Sequence, residues 1–143
     1  MYVNSKEEEL DAGQIIGIFL ENNPQPHPPQ VMMPAILEEL NQPNCKVHQI
    51  GNTLFEVHIG KNGQAFFKAF NADVIPNFVE NSKQFVVYAR RMLNLNTLVT
   101  EFEDPALEQL FKLISLRPPL PGMGYQPIRM KSGKTRIVLN LGA

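Results

Sequence analysis

CKVHQIGNTLFEVHIGKNGQAFFKAF, residues 45–70, is the stretch that decides the fold. Three short runs rich in β-branched and aromatic residues are separated by Gly51-Asn52 and Asn62-Gly63, and Asn-Gly between such runs is a strong hairpin signal. The stretch predicts an antiparallel three-stranded meander: a strand over Cys45–Ile50, a second over Thr53–Ile59 and a third over Gln64–Phe70. With two-residue turns at both corners, His48 faces Phe55, which faces Phe70, and Lys46 faces Val57, which faces Lys68. Val47 then faces Glu56 and Ala69, Cys45 faces His58 and Phe67, and Ile59 faces Phe66. One face carries Lys46, His48, Ile50, Phe55, Val57, Ile59, Phe66, Lys68 and Phe70. The other carries Cys45, Val47, Gln49, Leu54, Glu56, His58, Phe67 and Ala69, and Glu56 has no base directly opposite. The first face is richer in large apolar groups and is the expected core face.

On the N-terminal side, Ser5-x-x-Glu8 has the form of a capping box at the start of a helix whose apolar residues run from Leu10 to Leu20. Asn22-Asn23-Pro24 stops it, and Pro24-Gln25-Pro26-His27-Pro28-Pro29 is a stiff polyproline connector. A second helix is expected over Gln30–Asn41. On the C-terminal side, Asp73-Val74-Ile75-Pro76 reads as a loop, and Asn81 or Ser82 caps a helix through Gln84 to Leu93 that competes with a strand because of Val86-Val87. Asp104-Pro105 is a cap followed by a proline in the first turn, with Leu107, Leu110, Phe111 and Ile114 at helical spacing. Arg117-Pro118-Pro119-Leu120-Pro121-Gly122 ends that helix. The tail reads as a hairpin, Tyr125–Lys131 and Lys134–Leu141 about a Ser132-Gly133 turn, with Pro127 confining the first strand to a sheet edge. The expected fold is a single α+β domain over residues 1–143, in the order α-α-β-β-β-α-α-β-β, with proline-rich connectors at 23–29 and 117–121.

The 143 residues suit one domain, and 43% hydrophobic against 19% charged residues excludes a disordered chain. A formal net charge of −1 excludes a generally basic nucleic-acid coat and an acidic DNA mimic. It hides an asymmetry: seven acids against one base over Met1–Asn44, and six bases with no acid over Lys112–Ala143. The single Cys45 excludes an internal disulfide. With no 18-residue apolar run and no basic, apolar leader after Met1, the expectation is a cytoplasmic protein without membrane association.

Chemical signals are thin. Gly133-Lys134-Thr135 has the tail of a phosphate-binding loop, but Ile128 stands where that motif needs glycine. His48 and His58 point to opposite faces and His27 lies in the proline connector, so no metal site and no cofactor are expected. Cys45 opposite His58, with Glu56 two residues before it on the same face, is the one candidate catalytic set, since an imidazole can activate a thiol. A small thiol beside a histidine on a half-exposed face explains it without catalysis, so no catalytic residue is assigned. Phe55, Phe66 and Phe70 with Lys46 and Lys68 compose a base-stacking platform, the nucleic-acid alternative. The C-terminal hairpin, with Arg129 opposite Arg136 and Lys131 opposite Lys134, gathers four cations on one face beside Tyr125. The resulting expectation is a small non-enzymatic interaction, adaptor or regulatory protein of the kind viruses and mobile elements encode. Arg129, Lys131, Lys134, Arg136 and Tyr125 would dock an acidic protein partner, and self-association is compatible with it.

Overall fold

The computed structural model describes residues 9–142. Asp11 caps the first helix, α1 (Ala12–Asn22): its carboxylate accepts from the Gln14 backbone N–H at 2.8 Å, and the Gln14 side chain accepts from the Asp11 N–H at 2.9 Å. This capping box stands six residues beyond the expected Ser5–Glu8 one, which lies outside the described residues. Helix α2 (Pro29–Leu40) follows the proline connector, which ends in Pro28 as the residue before the first turn.

The meander forms with β1 (Cys45–Ile50), β2 (Thr53–Ile59) and β3 (Gln64–Asn71). The β1–β2 register is the expected one, with Cys45 opposite His58 and His48 opposite Phe55. The β2–β3 register is not: Phe55 faces Ala69, Glu56 faces Lys68, Val57 faces Phe67 and His58 faces Phe66. The turn is longer by one residue than a two-residue hairpin. Gly60 N–H bonds the Gln64 carbonyl at 2.9 Å, leaving Lys61-Asn62-Gly63 as the loop. Asn62 (φ 59°) and Gly63 (φ 72°) both take left-handed conformations that suit these residue types. A one-residue slip turns every side chain of a strand over. Phe67, Ala65 and Ala69 therefore join Phe55 and Val57, whereas Phe66, Lys68 and Phe70 join Leu54, Glu56 and His58.

The expected element order is corrected by a strand it omits. After helix α3 (Ile75–Arg91), which begins six residues before the Asn81 cap position, the β-branched run Thr97–Phe102 forms β4. β4 pairs in parallel with β3, so β3–α3–β4 is a crossover unit with α3 as the connection. Asp104 accepts from the Ala106 N–H at 2.9 Å and starts a 3-10 turn over Pro105–Leu107, which runs into α4 (Glu108–Leu116). The hairpin β5 (Gly124–Arg129) and β6 (Thr135–Asn140) closes the sheet in the order β1-β2-β3-β4-β6-β5, with Pro127 on the edge strand. Its turn repeats the first correction: Met130 pairs with Lys134 around Lys131-Ser132-Gly133, with Gly133 at φ 91°.

Among the described residues the fold is thus a mixed α+β architecture of one six-stranded sheet and four helices. α3 and α4 cover one face, over Phe55, Val57, Phe67, Leu98, Ile137 and Leu139. The rings of Phe55 and Phe85 stack in parallel at 4.2 Å at its centre. α1 and α2 cover β1–β3 on the other face, where Ile15, Ile16 and Ile36 pack on Leu54 and Phe70. No described helix is long and apolar enough to cross a membrane.

Candidate functional site

The parallel pair β3–β4 holds together over only three residue pairs, Gln64–Thr97, Ala65–Leu98 and Phe66–Val99. Beyond these, β3 stays paired with β2 as far as Asn71, and β4 stays paired with β6 as far as Phe102. The ladder between the two strands stops there, leaving a gap in the pairing between their C-terminal ends. Pairing alternation fixes what faces it. Gly60 with Gln64 and Asn52 with Ala72 are hydrogen-bonded positions, so Phe66, Lys68 and Phe70 bond toward β2 and Ala69 turns its N–H and C=O toward the gap. Ligands of open sheets with crossover helices sit in this place, outside the carboxyl ends of parallel strands.

The first turn of α3 lies beyond the same end of β3. It has no side-chain cap, and Pro76 lacks an N–H. The loop before it is clamped to the β1–β2 turn. Asp73 accepts from the Asn52 N–H and from Asn81 Nδ2, both at 2.8 Å, and Asn81 Nδ2 also donates to Thr53 Oγ1 at 3.0 Å. Asn71 closes the group, accepting from Thr53 Oγ1 at 2.8 Å.

A second polar group sits under α2, on the face of the sheet opposite α3. Cys45 Sγ, a Glu56 carboxylate oxygen and a His58 ring nitrogen lie within 4.8 Å of one another. Glu56 is fully buried; one oxygen meets His58 Nε2 and the other, Oε1, has no hydrogen-bond partner. Glu39, at the end of α2, stands 4.0 Å from His58 Nε2 and accepts from Lys68 Nζ at 3.0 and 3.2 Å. Burial pushes the Glu56 carboxyl above its ordinary range, and the Glu39 charge adds to this, against the His58 hydrogen bond. Burial also raises Glu39, but the Lys68 ammonium outweighs it and holds Glu39 below its ordinary value. Burial, then the charges of Glu56 and Glu39, push the Cys45 thiol upward. The neighbours of Cys45 thus keep it a thiol, the opposite of what a nucleophile needs.

The structure separates the other expected constellations. Phe55 and Lys46 lie on the α3 face and Phe66, Phe70 and Lys68 on the α1/α2 face, so the five residues form no common platform. Phe55 and Phe70 are buried, and only Phe66, 49% exposed, presents a ring. In the hairpin, Arg129 pairs with Thr135 and Arg136 with Ile128, which puts the two guanidiniums on opposite faces. Arg136 bonds Glu101 of β4 directly opposite, with Nε 2.7 Å from the carboxylate. Arg129 meets Glu108 at 2.8 Å. Lys131 and Lys134 are exposed at the turn, and Tyr125 packs toward the core beside Phe111. The neutralising acids come from β4 and α4, earlier in the chain than the hairpin. From the sequence Glu39 had no role, and Glu101 was set aside, with Glu103 and Asp104, as a carboxylate before a helix N-terminus. Only Glu101 had a signal, the Thr-Leu-Val-Thr run of a buried strand.

No family model and no curated protein matches the sequence. Solved structures do match the fold. A mutant of the spermidine N-acetyltransferase SpeG from Vibrio cholerae is similar at a TM-score of 0.58 and 14% identity, over 92% of each chain. The Campylobacter jejuni N-acetyltransferase PseH in complex with acetyl coenzyme A is similar at 0.55 and 15% identity, over 92% of this chain and 93% of that one. The chain has the fold of these N-acetyltransferases. That finding overturns the expectation of a non-enzymatic interaction, adaptor or regulatory protein.

Proposed function

We propose that the chain is an acyltransferase that passes an acetyl group from acetyl coenzyme A to an amine of a small molecule. The gap between β3 and β4 carries this reading, in a fold shared with N-acetyltransferases, one of them in complex with acetyl coenzyme A. Two features suit the coenzyme. The pantetheine arm carries amides, and the Ala69 N–H and C=O offer it strand-like hydrogen bonds in the gap. The uncapped first turn of α3 leaves the N–H groups of Ile75 and Asn77 for a phosphate. The loop Ala72-Asp73-Val74 adds neither a cation nor a glycine, so phosphate binding rests on those N–H groups.

Bound there, the coenzyme would supply an activated thioester. The chain's own part is to hold it and to present the amine. The acceptor surface is the face of β4, β6 and β5 on the α1/α2 side, which carries Val99, Glu101, Arg136, Val138 and Ile128, half-buried or exposed. Arg136 bonds one Glu101 carboxylate oxygen, Oε2, and the other draws a cationic amine there.

Calorimetric titration of the purified chain with acetyl coenzyme A, followed by thiol release with a panel of amines that includes polyamines, tests the reading. Saturable binding, acceptor-dependent thiol release and a gain of one acetyl mass on the acceptor are expected. Ala69→Pro removes a gap-facing N–H without touching the bonds to β2, and should weaken coenzyme binding about tenfold, the worth of one hydrogen bond. A folded chain that neither binds the coenzyme nor releases thiol would overturn it.

A further inference from the structure

We propose that Cys45, Glu56 and His58, closed over by Glu39, bind one divalent metal ion of the zinc class. Thiol sulfur, imidazole nitrogen and carboxylate oxygen are the donor set that such ions take, whereas magnesium and calcium call for oxygen alone. The three donor atoms already lie within 4.8 Å of one another. Bonds of about 2.0–2.3 Å to a tetrahedral ion put neighbouring donors about 3.3–3.8 Å apart, so the widest pair closes by about 1–1.5 Å at most while His58 and Glu56, already in hydrogen-bond contact, move apart.

The scaffold holds the donors on rigid elements. Cys45 and His58 are directly opposed across β1 and β2, and Glu56 precedes His58 by two residues on the same face. Glu39 descends from the last turn of α2, 4.0 Å from His58 Nε2, as the fourth donor. The second, independent observation is Glu56 itself: fully buried, with Oε1 lacking any hydrogen-bond partner. An unsatisfied buried carboxylate oxygen is costly, and a cation among these donors would satisfy it. Charge also balances. Two carboxylates and a thiolate are three negative charges; the Lys68 ammonium on Glu39 answers one and a dication answers two. Binding breaks the Cys45 S–H bond, forms an S–metal bond and releases that proton to solvent.

This site is separate from the acyl-transfer reading. Cys45 and His58 lie toward the end of the sheet where β3 begins, and the gap opens where β3 ends. Its consequence is structural: it would tie the edge strand β1 and helix α2 to β2.

The full chain, stripped with a chelator and dialysed, is titrated with Co²⁺ as the spectroscopic probe and then with Zn²⁺. One equivalent of Co²⁺ should produce a thiolate-to-cobalt charge-transfer band in the near ultraviolet, and one equivalent of Zn²⁺ should erase it. Cys45→Ser should abolish the band, and His58→Ala and Glu39→Gln should each weaken binding at least tenfold. His27→Ala, in the proline connector, should change nothing. Should Cys45→Ser fail to fold, X-ray absorption of the wild-type zinc complex decides instead, with one sulfur at about 2.3 Å expected. Absence of the band in folded wild-type chain, a zinc shell without sulfur, or undiminished binding by folded His58→Ala would each overturn the site.

Discussion

Asn81 ties the crossover helix to the sheet and to the loop before it. It is 8% exposed, and its amide nitrogen donates at once to Thr53 in β2 and to Asp73 before α3. Asn81→Ala leaves a buried hydroxyl and a carboxylate each short of a donor, and should cost about 1–3 kcal/mol in a urea denaturation curve. His48 is a different kind of residue. Its ring stacks on Tyr88 of α3 at 3.8 Å, and burial holds its imidazole below the ordinary value. The unfolded chain therefore takes up a proton that the folded one resists. The stability this contributes is complete above the ordinary value of 6.5 and is lost as pH falls through the lowered one. His48→Phe keeps an aromatic stack, and should lessen the fall in denaturation midpoint below about pH 6.5. An identical pH profile in the variant would contradict this.

Turn chemistry decides the elements, and both hairpins that slipped show how. Gly133 at φ 91° has open space where a Cβ would stand, while a Cβ on Gly63 at φ 72° would lie 2.8 Å from the Asn96 side chain. Gly133→Ala should thus lose only the left-handed backbone cost, about 1–2 kcal/mol, and Gly63→Ala should lose more, as read from paired thermal unfolding curves. Equal losses would show that Asn96 yields freely. These same turns mark where the sequence was legible. The strand bounds of the meander and the β1–β2 register followed from alternation and Gly51-Asn52. What Asn62-Gly63 and Ser132-Gly133 did not reveal was loop length, because a left-handed glycine serves a two-residue and a three-residue loop alike. That one residue scattered the platform of Phe55, Phe66 and Phe70 and divided Arg129 from Arg136. β4 was missed although Thr97–Phe102 has strand composition, since nothing local announces a parallel partner more than thirty residues upstream. The Cys45–His58–Glu56 set was legible from the first register alone, but Glu39 and Lys68 were not, because one arrives on a helix and the other through the slip.

Across the whole molecule, the core under α3 and α4 runs from β2 to β6 and takes in Phe55, Phe85, Phe111, Ile137 and Leu139. Phe85 packs on Phe55 and Phe67 within this one cluster, so Phe85→Ala should cost about 3–5 kcal/mol and leave far- and near-ultraviolet dichroism melting together. Separate transitions for the meander and the hairpin would show that this core does not bind them. The backbone itself does little of that joining. Between β3 and β4 the sheet is stitched at three residue pairs and then left open, like two leaves on a short spine. Each leaf keeps its own ladder, so parting them strains side-chain packing and few hydrogen bonds. A strand-like molecule laid between the leaves would act as a suture, continuing the ladder where the protein leaves it unfinished. Its mark would be slowed deuterium exchange at the Ala69 amide, with the β1–β2 ladder unaffected.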